Sequence, residues 1–159
     1  ESMKLEKCKK ESFVVIGKEG STLEGNRFIL NLWNDFSDHF SEIEHLAKRD
    51  DEGNLLGFWG AMNDFSRSFK PWEKNFSQGY YLVGVECDEN VQPPAGWTKW
   101  VIPGYEYLIF LTDAEDALFK VLDYLTFSNI SIVGAIHDFT CPKTGKDYMY
   151  VPIKTLNKD

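Results

Sequence analysis

The chain has 159 residues, enough for one domain, and its 17 Lys and Arg against 25 Asp and Glu give a formal net charge of −8. That balance argues against nucleic acid, whose phosphates demand clustered basic residues, and favours a cation wherever charge selects a ligand. Three cysteines, Cys8, Cys87 and Cys141, with no CxxC spacing exclude a disulfide framework and a zinc ribbon.

A reducing cytoplasm suits such cysteine usage, no segment reads as a secretory signal, and no apolar run approaches the ~20 residues of a membrane-spanning helix. Five Trp, seven Tyr and twelve Phe are many rings for so small a chain, and some of them are expected to line a site rather than a core. Glu1 and Ser2, ahead of Met3, read as an added remnant outside the folding unit.

Residues 13–17, Phe-Val-Val-Ile-Gly, are a short β-branched apolar run that predicts a first strand. Ile29, Leu32, Trp33, Phe36, Phe40, Ile43 and Ala47 then recur at spacings of three and four, which predicts a helix of about six turns with one apolar stripe. Asn26 is its candidate N-cap, and the charged turn at residues 50–54 ends it. Residues 55–62 predict a second strand, and a loop interrupted by Pro71 leads to a third over residues 80–86. Period-two geometry puts Tyr80, Leu82, Gly84 and Glu86 on one face of that third strand.

Pro93, Pro94 and Gly96 mark the break between halves. Residues 97–102 and 105–112 predict strands either side of Pro103 and Gly104. Asp113 is the candidate cap of a second helix striped by Leu118, Val121, Leu122 and Leu125, which stops at Ser128 and Asn129. Residues 130–139 and 148–153 predict the last hairpin.

Gly60-Ala61-Met62-Asn63-Asp64-Phe65 is echoed by Gly134-Ala135-Ile136-His137-Asp138-Phe139, nearly half the chain further on. With the flanking elements in the same order, the echo predicts a single domain over residues 1–159 built of two related halves, about 12–90 and 97–155. The expected fold is α+β: tandem βαββ units with pseudo-two-fold symmetry and a largely antiparallel sheet of roughly six to eight strands. Both main helices lie on one face, a cleft runs between the halves, and Asp64 and Asp138 are expected at equivalent places.

These segments resemble the GyrI-like small-molecule-binding family, which also supplies effector-binding domains to AraC-type and MerR-type regulators. The matching stretches are residues 13–17, Leu32-Trp33, Gly57-Phe58-Trp59-Gly60-Ala61, residues 81–86, residues 102–107 and residues 148–153. The resemblance implies an aromatic cleft with an acidic residue that draws lipophilic cations. In drug-sensing members, aromatics on the first helix, the second strand and the last strand join a carboxylate; matched by position these are Trp33, Trp59, Tyr148 and Asp138. The family often has glutamate where this chain has Asp138. Both predicted helices are used in the fold, so the chain looks like the stand-alone bacterial form, without a helix-turn-helix of its own.

Glu86 is the acid expected to face the cleft, because it ends an apolar strand where an unpaired charge is expensive. Asp64 and Asp138 each follow a predicted strand or lie at its end, where aspartate also caps turns, so which of the three acids faces the cleft stays open. Met62, Tyr105 and Tyr107 complete the expected ligand contacts with Trp33, Trp59, Glu86, Asp138 and Tyr148, since aromatic faces around a carboxylate suit a flat cation. Trp72, Trp97 and Trp100 are either lids or packing. His137 and Asp138 are neighbours on a strand and point to opposite faces, which argues against a triad. The three histidines lack metal-ligand spacing, so no metal and no cofactor is expected.

Two functions fit. One is a binder of hydrophobic, cationic or aromatic small molecules that sequesters them or senses them, with no direct nucleic-acid or membrane contact; a regulator protein or a second copy of the chain stays open as partner. The other, implied by stand-alone relatives that open strained or electrophilic rings, is a hydrolase in which Glu86 deprotonates water and Tyr148 donates a proton. Binding is the simpler demand and is preferred.

Overall fold

A computed structural model describes residues 5–112 and 116–156 of the chain. Its strands are β1 (Leu5–Lys10), β2 (Phe13–Ser21), β3 (Phe58–Asn63), β4 (Tyr80–Cys87), β5 (Thr98–Ile102), β6 (Tyr105–Leu111), β7 (His137–Thr140) and β8 (Asp147–Thr155). Helix α1 (Phe28–His39) precedes β3, and helix α2 (Ala117–Phe127) precedes β7. All eight strands join one antiparallel sheet in the order β1-β6-β8-β7-β3-β4-β2-β5. Each half is therefore ββαββ, and exchanging the halves leaves the strand order unchanged. The first strand of each half crosses over: β1 pairs with β6, and β5 pairs with β2.

Strand alternation divides the side chains between two faces. On the helix face, Val14, Ile16, Tyr81, Val83 and Val85 lie under Phe28, Leu32 and Phe36 of α1, while Leu108, Phe110, Met149 and Val151 lie under Val121 and Leu125 of α2. Both helices thus cover the same face, as expected. The other face carries Phe13, Val15, Trp59, Leu82 and Trp100, continued by Tyr105, Tyr107 and Ile109. Among the described residues no helix covers it, yet these rings are buried. The sheet curls to enclose them: Lys10, at the end of edge strand β1, reaches Glu86 of β4 at 3.0 Å. Gly17 and Gly84 pair in register, and a Cβ on either would meet the backbone of the opposite strand. This close approach of β2 and β4 is open only to glycine.

Several local expectations are corrected. The long helix ends at His39 and continues as 3-10 turns at Phe40–Glu42 and Glu44–Leu46. A 3-10 turn keeps the i, i+3 spacing, so Ile43 still reaches the core. The chain then leaves the helix to extend β4: Ala47 bridges Cys87, and the Lys48 N–H donates to the Glu86 carbonyl. Asn26 does not cap α1, whose N-cap position is Arg27 without a side-chain bond; the reciprocal cap of Ser21 and Glu24 serves the 3-10 turn upstream. Asp113 lies outside the described residues.

β1, LEKCKK, was not expected, because an edge strand kept charged against further pairing has no apolar alternation. Residues 130–136 are not a strand; Ile130, Ile132 and Ile136 instead fill the core below α2. Asp64 and Asp138 do not occupy equivalent places. Asp64 follows the end of β3 and accepts from the Ser68 and Lys70 N–H groups and the Ser66 hydroxyl, whereas Asp138 is inside β7, opposite Gly60. Among the described residues no helix is long and apolar enough to cross a membrane.

Candidate functional site

Where the two halves meet on the helix face, α1 and α2 do not close over the sheet. A cavity of about 410 Å³ lies there, walled by Trp33 of α1 and by Ala117 and Leu118 in the first turn of α2. Its floor is the sheet itself, with Tyr81 from β4, Asp138 and Thr140 from β7 and Met149 from β8, and Asp147 of β8 stands exposed at the rim. The cleft follows from the pseudo-symmetry: each helix packs over its own half, leaving the seam between β3 and β7 without a helix above it.

Asp138 sits at that seam. Its ladder partner Gly60 has no side chain, and a Cβ there would overlap the Tyr81 hydroxyl. The bare backbone lets the Tyr81 ring lean across β3 and donate to Asp138 Oδ2 at 2.9 Å. Asp138 keeps part of its surface toward the cleft and is enclosed by protein on its other sides. Burial pushes its carboxyl up to about 6, the Tyr81 hydrogen bond opposes this, and the charge of Asp147 adds to it. Burial and the neighbouring Asp138 charge hold the Tyr81 phenol well above its usual range, so it stays a donor.

Among the described residues, no lysine, arginine or histidine lines this cavity. Other acids with little exposed side chain have cations: Glu19 takes both Arg67 nitrogens at 2.8 and 3.0 Å, Glu106 faces Lys7 at 3.9 Å, and Glu86 faces Lys10 and Lys48. Asp64 is satisfied by backbone N–H groups and sits below its usual range: burial alone would raise it, and the bonds from Ser66, Ser68 and Lys70 outweigh that.

The expected site residues divide between the faces. Trp33 and Asp138 meet in the cleft. Tyr148 borders it, but its ring packs with Tyr105, Tyr107 and Ile109 on the inward face. Glu86 shares a face with Tyr80 and Leu82 as the alternation required, and that face is the inward one; Lys10 binds it at 3.0 Å and Lys48 at 3.4 Å. Trp59 is locked among Phe13, Phe139 and Tyr150 with ring centroids 4.7 to 5.1 Å apart. Tyr105 and Tyr107 are buried in the same layer, and Met62 packs under α1. Trp72, Trp97 and Trp100 are packing residues whose indoles donate to the Tyr80 carbonyl, Glu42 and Glu19.

His137 is fully buried on the inward face. Its Nδ1 accepts from the Met62 N–H at 3.1 Å, and burial pushes the ring down to about 3, so it stays neutral. Among the described residues no group of three or more His, Cys, Asp or Glu is arranged to hold a metal ion. Tyr81, Asp147 and Leu118 were missed as site residues. The available signal for Tyr81 was its alternation away from Glu86, on the helix face.

No protein-family model matches this chain, and no curated protein matches it. Solved structures do. SAV2435, in a structure with bound tetraphenylphosphonium, aligns over 96% of this chain and 94% of its own at 14% identity and a TM-score of 0.69. The chain has a GyrI-like fold. An integron cassette protein from the mobile metagenome of Vibrio cholerae aligns with a TM-score of 0.59 at 16% identity, over 94% of this chain and 95% of that one. A protein assigned to bacterial transcription regulation, from Staphylococcus aureus MU50, aligns over 96% and 99% with a TM-score of 0.58 and 14% identity.

Proposed function

We propose that this protein binds hydrophobic cations in the cleft between α1 and α2. One observation carries the reading: Asp138 is half-buried on the cleft floor against a tyrosine hydroxyl, with no cation among the described residues that line the cavity. A buried carboxylate without a counter-charge is costly, and a ligand that supplies the charge recovers that cost. Trp33 offers aromatic surface, a cation-π contact being worth roughly 0.5–2 kcal/mol. The tetraphenylphosphonium of the SAV2435 structure belongs to the same ligand class and supports the reading.

Sequestration or sensing in the cytoplasm is the role this reading favours, with a separate regulator or a second copy of the chain as partner if it is a sensor. Ring hydrolysis by Glu86 and Tyr148 is not favoured. Glu86 is neutralised by two lysines and faces away from the cleft, and the Tyr148 ring packs on the inward face. The test is a titration with tetraphenylphosphonium, followed by tryptophan fluorescence and calorimetry. Asp138→Asn is expected to weaken binding by about ten- to a hundredfold, as loss of a desolvated charge contact requires, and Glu86→Gln to leave it within about twofold. Equal binding by wild type and Asp138→Asn would overturn the assignment.

A further inference from the structure

The same cleft holds a second carboxylate, and we infer that it makes the site selective for flat ligands with two positive centres over those with one. This rests on the cation-binding reading and adds a substrate class to it. In the β7–β8 ladder Asp138 faces Met149 and Thr140 faces Asp147. Asp138 and Asp147 are therefore diagonal neighbours on one face of adjacent strands, about 7–8 Å apart at the backbone. Both line the cavity, Asp138 enclosed at the floor and Asp147 exposed at the rim.

The outer acid is held in place and has no basic neighbour in the lining. The Thr140 hydroxyl donates to Asp147 Oδ1 at 2.7 Å, which sets the side chain over the ladder. Lys143, on the turn between β7 and β8, is engaged elsewhere with Asp50 at 3.4 Å and Glu52 at 3.5 Å. Two like charges on one ladder face repel, and the charge of Asp147 is felt at Asp138. A ligand with one cation relieves one acid and leaves the other. A rigid ligand with a cation at each end, spaced by about one ladder diagonal, neutralises both without bending. Trp33 and Leu118 on the walls offer flat and apolar surface to the rings between the charges. The chemical class is a flat aromatic dication such as a bipyridinium.

Three probes of nearly one shape test this on the purified full chain: dimethyl-bipyridinium with two charges, N-methyl-phenylpyridinium with one, and neutral phenylpyridine. Calorimetry at neutral pH and low salt is expected to show the dication bound about tenfold more tightly than the monocation, the effect of one additional partly screened charge contact. Asp147→Asn should bring that ratio to about one by weakening the dication more than the monocation; Asp138→Asn should weaken both cations. Asp147→Glu, which keeps the charge, should retain the preference, and its loss there would assign the effect to the shape of the turn and overturn the inference. Equal wild-type affinities for the two cations, or a preference that survives Asp147→Asn, would overturn the inference and leave cation binding standing. If neutral phenylpyridine binds as well as either cation, the cation-binding reading fails, and this inference with it.

Discussion

Glu86 and Asp138 are carboxylates on inner strands of one sheet, on its opposite faces, and the chain handles them differently. Glu86 is the more deeply buried of the two, and two lysines close on it from the end of β1 and from the chain beyond α1. Asp138 is more open and receives only a tyrosine hydroxyl. Burial alone therefore does not mark a ligand site. A buried charge that the fold neutralises is architecture, here fastening edge strand β1 across the curled sheet. A buried charge that the fold leaves unneutralised beside a cavity is an offer to a ligand.

The contrast breaks most visibly at the lysines. Replacing both Lys10 and Lys48 with Met leaves Glu86 enclosed without a counter-charge and is expected to cost about 2–4 kcal/mol, below the full range for buried pairs because Lys48 is partly exposed. Urea unfolding reads this, and cation binding in the cleft should be unchanged; undiminished stability would show that Glu86 does not need its lysines.

Gly60→Ala comes next. The added Cβ overlaps the Tyr81 hydroxyl, so the ring must leave Asp138 or the strands must shift, at about 1–3 kcal/mol and with a parallel fall in cation affinity. Full affinity in a destabilised Gly60→Ala protein would separate the Tyr81–Asp138 bond from binding.

Asp138→Asn should act in the opposite direction on stability. Burial raises the Asp138 carboxyl to about 6, so the folded state holds that proton more tightly than the unfolded chain does. The resulting stability is complete below the unfolded range near ~4 and is lost as pH rises through about 6. The variant should accordingly be more stable than wild type by roughly 1–2 kcal/mol at pH ~8 and equal to it at pH ~4, while wild-type cation affinity falls as pH drops through about 6. Parallel stability profiles for the two proteins would mean that Asp138 carries no strain. The smallest effect is at the wall: Trp33→Phe should lower affinity for an aromatic cation by about two- to fivefold, measured by calorimetry, with Tm unchanged.

Much of this fold is written in local pattern. The stripe from Ile29 to Ile43, the β-branched run of β2 and the alternation of β4 each commit a segment to one element, because helix and strand periodicities act over a few residues. The order of those elements was enough for the sheet, the helices on one face and the seam between halves, and the alternation rightly grouped Glu86 with Tyr80 and Leu82. What local pattern lacks is the identity of each face. Whether the Tyr80 face or the Tyr81 face of β4 looks into the cleft depends on which side the helices dock, and that is settled by contacts between residues far apart in the chain.

The two acids show the same division. That Glu86 and Asp138 are acids amid apolar strands was legible from the sequence, while an aromatic cleft was what the family resemblance implied. That Lys10 reaches Glu86 across the curl of the sheet, and that Gly60 clears the path from Tyr81 to Asp138, are products of register and crossover between distant strands. Charge on a residue is a property of composition. Whether that charge is matched depends on three-dimensional neighbours, and here only the tertiary structure brought lysines to one carboxylate and a cavity to the other.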